Sequence, residues 1–451
     1  MRDLTKGSPI KVILLFMVPL LIGNVFQQLY STIDMMLIGQ IHGTNTVAAV
    51  GATSSITFLV LGFIIGLTNG LSVLVAQSFG AKDFKLLKKS FVTGIAISIM
   101  VGIVVTFLST FFLEYILRLI QVPEVVFEQA YEFSFVVFMG TLAFMALHFF
   151  SNNLRAIGDT KTPLYALIVT SIVNIVLVYI LLVVLRQSIF FVAVAIVVSQ
   201  GIGAIFCFRK IIKHTPELRI SLKDFSLINR ADMAKQARIA FPIAFQTSVI
   251  AIGAMIIQVA VNAQGRDAVA AFTAGQRVDQ FIVQPMISFS ITLSTFTAQN
   301  YGAKKYDRIV QASKQAFKMA FLFAISAGGL MILFGENIAG LFFNNPYPEV
   351  FEYLNSYFWV MGLCIWLLGM KMVFRGILQG LGRPFAPTVG GVIELVVRAA
   401  VVIALVGTFG FNGVLLANPL AWVCGIPILI VHLKRALADI SSNEEIEEIL
   451  A

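Results

Sequence analysis

The sequence predicts an all-α polytopic membrane protein, with twelve transmembrane helices in two pseudo-symmetric six-helix lobes. Three observations predict it. Hydrophobic residues make up 58% of the 451 positions and charged residues only 12%, about half the charge of a soluble domain. Short passages recur half a chain apart. The basic residues collect in alternate connections.

The apolar runs come first. Twelve are long enough to span: about 10–38, 46–78, 91–113, 127–150, 163–186, 189–208, 236–263, 268–299, 315–335, 350–374, 388–407 and 411–433. The second and eighth exceed the roughly 20 residues a bilayer needs, so they tilt or project into water. No polar block between them is large enough for a separate domain.

The repeats come next. Ala76-Gln77-Ser78-Phe79-Gly80-Ala81-Lys82 returns as Ala298-Gln299-Asn300-Tyr301-Gly302-Ala303-Lys304, 222 positions on (76 to 298). Leu154-Arg155-Ala156-Ile157-Gly158, with Pro163 beyond, is matched by Leu378-Gln379-Gly380-Leu381-Gly382 with Pro387. Pro19 matches Pro242, and Val47-Ala48-Ala49 matches Val269-Ala270-Ala271. A duplicated membrane bundle is the usual build of a secondary transporter. Six spans per repeat is an even number, so both halves enter from the same side, related by an axis along the membrane normal. The expected organisation is a first lobe at 1–208, a linker at 209–235, a second lobe at 236–433 and a tail at 434–451. Leu218, Ile220, Leu222, Phe225 and Leu227 should give the linker partial order, and the acidic tail from Asp439 should be a short solvated helix.

The charge pattern sets the orientation. Net charge is +9, but its placement argues against nucleic acid as a partner. With both termini in the cytoplasm, the inside segments hold Arg2, Lys6, Lys11, Lys82, Lys85, Lys88, Lys89, Arg155, Lys161, the basic stretch 209–238, the group 304–318, Arg375, Arg383, Lys434 and Arg435. Outside loops keep Arg118, Arg186 and Arg266. This is the positive-inside bias of a multi-pass protein of the inner or plasma membrane. The first apolar run is too long for a signal h-region and contains Asn24, Gln27 and Asp34, so no cleaved leader is expected. Cys207, Cys364 and Cys424 are widely separated, which suggests neither a disulfide framework nor a metal motif. Nothing resembles a phosphate-binding loop or a nucleophile elbow, so neither an enzyme nor an ATP-driven pump is expected, and no cofactor. The glycines of both Gly-Ala-Lys turns, with Gly158 and Gly382, are expected to supply positive φ at tight cytoplasmic connections.

The polar residues inside spans carry the functional argument. Asn24, Gln27, Ser31 and Asp34 fall at i, i+3, i+7 and i+10, one stripe on a helix and a candidate cavity wall. A carboxylate in a span is costly, by about 2.5–3.5 kcal/mol on insertion scales, and usually faces an interior or cavity. Desolvation disfavours its charged form, which makes Asp34 a candidate proton carrier; an ionised Asp at the outer interface is the competing reading. Asn174 on span five is a candidate partner, with Thr170 one turn earlier, although an intramembrane Asn is more often packing glue. In the second half, Thr273, Gln276, Gln280 and Gln284 line span eight, flanked by Arg277 and Asp279. Glu394 and Arg398 have the i, i+4 spacing of an intrahelical ion pair, read here as structural. Lys371 and Arg375 should snorkel to the cytoplasmic interface. Pro19 and Pro242 should each kink the first span of their half. Pro19 lies about 22 Å from Asp34 on an ideal helix, so protonation at Asp34 could act through a hinge there.

Together, Pro19 with Asp34, the paired Ala-Gln-x-x-Gly-Ala-Lys passages, and Phe374-Arg375-Gly376-Ile377-Leu378-Gln379-Gly380-Leu381-Gly382 resemble the multidrug and toxic compound extrusion (MATE) family, in its DinF-like bacterial branch, over essentially the whole chain. The resemblance implies two six-helix lobes and antiport of amphipathic, often cationic, small organic compounds against protons or sodium, by a monomer in the bilayer. It also implies that Asp34 and Asn174 are the coupling pair. Members with a fuller site carry a second Asp where this chain has Val178, a span-six hydroxyl where Ile196 stands, and in some cases a span-seven Glu that is missing here. A site stripped of oxygen ligands favours a proton over sodium. A flippase for lipid-linked saccharides is the alternative. Such proteins often have more spans and a more cationic cavity. A membrane enzyme acting on lipids would need clustered carboxylates, and here they are dispersed.

Overall fold

The computed structural model describes residues 3–340 and 348–450, and helices dominate them, with no strand among the described residues. Among the described residues, ten helices are long and apolar enough to cross a membrane: Pro9–Ile41, Asn45–Gly80, Phe84–Phe111, Lys161–Val184, Ile189–His214, Arg230–Asn262, Arg266–Gly302, Tyr306–Gly335, Glu349–Gly380 and Phe385–Ile440. Span four makes an eleventh, and it is not straight. Glu124–Met139 and Thr141–Ala156 meet at 46° around Gly140. A Cβ at Gly140 would sit 2.2 Å from Val197 Cγ2 of span six, so the bend also admits that neighbour. Phe385–Ile440 has 56 residues, about 84 Å of straight helix against a hydrocarbon core of about 30 Å. It breaks at Gly410, with φ 53° and ψ −131°, into the eleventh and twelfth expected spans. Gly43 (φ 78°, ψ −174°) separates the first two in the same manner.

Contacts divide the chain into two compact units. One holds Val18–Ser248; the other holds Leu4–Met17 together with the chain from Val249 onward. Both helices that open a repeat therefore change unit along their length, span one just before Pro19 and span seven six residues after Pro242. In the second unit Leu4, Ile13 and Phe16 are fully buried in its core. The main chain before span one is held there too. Leu4 N–H donates to Gln299 Oε1 (3.1 Å), Lys305 Nζ donates to Thr5 O (2.7 Å), and Arg308 donates to Leu4 O (3.2 Å) and Gly7 O (2.7 Å). In the first unit Gly66 and Gly70 of span two receive span seven. A Cβ at Gly70 would stand 2.5 Å from Ala240 Cα, and one at Gly66 2.7 Å from Ile243 O. Gln236 donates to Leu71 O and Ser90 O, and Lys89 pairs with Asp232 at 2.5 Å.

The Phe374–Gly382 passage has a packing explanation. Gly376 and Gly380 lie one turn apart against span eight, where Cβ atoms would come within 2.5 Å of Ser290 O and 2.4 Å of Ser294 O. Ser290 Oγ donates to Met372 O at 2.7 Å across the same seam. This is the small-residue contact that lets membrane helices approach closely. Gly380→Val should destabilise the second unit by more than the usual overpacking loss of about 1–3 kcal/mol, because the obstacle is backbone. Gly329→Val, where a Cβ meets nothing within 4 Å, should be tolerated. Melting temperature and monodisperse yield in detergent would separate the two, and equal behaviour would refute the seam.

The tight turns differ in one respect from expectation. Gly158 (φ 89°) and Gly382 (φ 73°) are left-handed as foreseen, but in both Gly-Ala-Lys turns the left-handed residue is the lysine, Lys82 (φ 57°) and Lys304 (φ 56°). Gly80 and Gly302 end their helices instead. The turns share one hydrogen-bond pattern: Asp83 N donates to Ser78 O and Lys305 N to Asn300 O, as Asp159 N does to Leu154 O and Arg383 N to Leu378 O. This is a Schellman closure. The linker is ordered by two 3-10 turns, Pro216–Leu218 and Leu222–Leu227, with Leu218 fully buried and both turns against span three. The tail continues the last helix to Leu450.

Candidate functional site

In the first unit, spans one, five and six bring their polar residues together. Asp34 is 6% exposed and Asn174 fully buried. Asn174 donates from Nδ2 to Asp34 Oδ2. The amide's other end, Oδ1, accepts from Ser199 Oγ at 3.5 Å, the outer limit for such a bond. Ser199 also donates to Ile196 O at 2.7 Å. Tyr30, one turn before Asp34, is hydrogen-bonded to Gln27 and Gln200. Asp34 Oδ1 is shielded from solvent and has no hydrogen-bond partner. The pair is thus a carboxylate held by neutral groups, with one oxygen open to a proton.

Several expectations change here. Span six has no hydroxyl at Ile196, but Ser199, almost one turn on, donates to Ile196 O on its own helix and stands 3.5 Å from Asn174 Oδ1. Tyr30 and Gln200 were not foreseen; Ser199-Gln200 was a visible polar doublet in an apolar span, which is the signal that could have found them. Thr170 is buried, but its hydroxyl donates to Ala166 O at 2.8 Å on its own helix, so it does not join the pair. Asn24 and Gln27 are half-buried and Ser31 is exposed. Val178 is buried among apolar neighbours.

In the second unit the polar stripe of span eight lies open: Thr273, Gln276 and Gln280 are exposed and Gln284 half-buried. Asp279 accepts from Tyr357 Oη of span ten at 2.5 Å. Glu394 and Arg398 pair as the spacing foresaw, at 3.3 Å. Lys371 departs from its expected place. Instead of reaching the interface it is 7% exposed and binds Glu394 at 2.7 Å, because a buried ammonium needs a charged partner and Glu394 supplies one. Arg398 Nε also donates to Asn418 Oδ1 at 3.0 Å. Arg375 is half-buried.

Duplicated six-span halves with proline-bearing opening helices are the build of a membrane transporter. The MatE family model matches residues 19–180 and again 242–404, once in each half. The chain belongs to the MatE family, and it is a transporter, not an enzyme. It is 28% identical over 387 residues to "Probable multidrug resistance protein YpnP" of Bacillus subtilis, covering 84% of each chain. It is 26% identical over 422 residues to the "FAD transporter" of Shewanella oneidensis, covering 92% of each. In fold it is similar to a MOP superfamily transporter from Pyrococcus furiosus (TM-score 0.89, 22% identity, 97% of this chain and 98% of that one). It is similar also to the structure described as "MATE in the bent conformation" (TM-score 0.88, 22% identity, 98% of each).

Proposed function

We propose that this protein is a multidrug exporter of the cell membrane that expels amphipathic, often cationic, compounds in exchange for protons, with both termini in the cytoplasm. Relatives named for multidrug resistance support the export reading. The observation that carries the proton is the Asp34–Asn174 pair. Asn174 gives its donor end to the carboxylate, a neutral partner that leaves Asp34 the one charged group of the pair. Sodium needs several oxygens, and the position of a second carboxylate holds Val178. Pro19 lies on the same helix as Asp34, and its missing N–H leaves Leu15 O without its helical donor. Proton binding at Asp34 bends the helix at this weak point, and the bend changes access.

The test uses purified protein in liposomes with ethidium as substrate, at clamped voltage, under a proton gradient or a sodium gradient alone. Proton-driven uptake supports the proposal; sodium-driven uptake alone would refute the coupling ion. FAD belongs in the substrate panel, since one relative is named for it. For the hinge, Pro19→Ala should slow proton-driven uptake severalfold while leaving ethidium binding intact. Unchanged uptake and unchanged conformational exchange in that variant would remove the hinge from the mechanism.

A further inference from the structure

Asp279 in the second unit repeats the electrostatic design of Asp34 with different residues. Its Oδ2 accepts from Tyr357 Oη at 2.5 Å. Its Oδ1 is shielded from solvent and has no hydrogen-bond partner. The donor is neutral, as it is at Asp34. Glu394 is the contrast, a carboxylate held by two cations. From span ten, Tyr357 is the ionisable group that faces Asp279. On its own helix Arg277 is exposed on another face, and no other charged group reaches Asp279 among the described residues. The buried cations of this unit, Lys371 and Arg398, are committed to Glu394.

The tyrosine is fixed by its surroundings. Tyr357 is 2% exposed. Its ring meets Phe272 edge-on (5.6 Å, 82°) and Phe358 edge-on (5.8 Å, 89°). It lies over Gly275, one turn before Asp279, where a Cβ would come within 2.6 Å of the ring. Small size at 275 is therefore what allows the hydroxyl to reach the carboxylate. Asp279 is half-buried as a residue, but its Oδ1 is shielded and unpartnered, and an ionised carboxylate in that state costs more than the neutral acid. Two oxygen-bearing side chains are too few for sodium.

We infer that Asp279, positioned by Tyr357, is a second proton-binding site, so that each unit carries one exchangeable proton. A transport cycle then moves a proton at Asp34 and another at Asp279. Infrared difference spectroscopy of the full-length protein across pH reads the protonated carboxyl C=O bands directly. Two buried bands are expected in the wild type. Asp279→Asn should remove one and Asp34→Asn the other. Tyr357→Phe should keep the Asp279 band but shift its frequency and midpoint, which a purely structural tyrosine would not do. In liposomes, the proton-to-ethidium ratio from reversal potentials should fall by half in Asp279→Asn. A wild-type ratio in Asp279→Asn, no titrating band assignable to Asp279, or displacement of that band by sodium would each overturn the inference. Loss of the Asp34 coupling alone would leave the Asp279 band in place, so the two sites are judged separately.

Discussion

Asp34→Asn is expected to insert and fold like the wild type while proton-driven efflux falls to the level of protein-free liposomes. The asparagine keeps the size of the side chain, and its oxygen still accepts from Asn174. What it loses is the ability to bind and release a proton. Substrate binding should persist, because nothing in the change removes apolar surface. The measurement is ethidium uptake under an imposed proton gradient beside ethidium affinity in detergent. Wild-type proton-driven uptake would move the coupling role elsewhere, with Asp279 the next residue to test. A protein that neither folds nor binds would make Asp34 structural.

The largest effect on stability is expected at Glu394. One oxygen, Oε2, neutralises both Lys371 at 2.7 Å and Arg398 at 3.3 Å, and all three residues are buried. Glu394→Gln leaves two buried cations facing an amide, which should destabilise by about 3–5 kcal/mol, the range for breaking a buried pair. Removing the whole cluster at once, with Lys371→Met, Glu394→Leu and Arg398→Met, should recover most of that loss, since apolar replacements of buried ion triads are often neutral. Melting in detergent compares the two. A Glu394→Gln protein that melts like the wild type but no longer transports would overturn the structural reading and make the cluster part of the transport path.

Much of the fold was legible because membrane helices write their length and apolarity into the chain locally. The repeat spacing, the paired prolines and the glycine motifs pointed to two halves, but not to the exchange by which Leu4–Met17 packs with the chain from Val249 onward. What local sequence could not give was register between helices. The Glu394–Arg398 pair was readable from i, i+4 spacing, whereas Lys371 joins the same carboxylate from another span, 23 residues away, and no periodicity announces that. Tyr357 and Asp279 are 78 residues apart, and a tyrosine in an apolar span looks like packing. Asp34 and Asn174 were paired through a family resemblance. Ser199 stands three residues beyond Ile196, and a helix offers the same face again at three or four residues, so one position does not decide what a face carries. The turn lysines show the opposite error: glycine was assigned the left-handed place because it is cheapest there, yet the Schellman closure fixes the position by hydrogen-bond count, and that position holds lysine.

The division of the two opening helices between units bears on how the protein is made. A ribosome that has finished the sixth span has produced a unit whose Gly66–Gly70 groove still waits for residues around Ala240 and Ile243. It has also inserted Leu4, Ile13 and Phe16, whose core has not yet been synthesised. Each half is an incomplete nucleus until the other arrives, so the groove at Gly66 and Gly70 is filled only once span seven has been made.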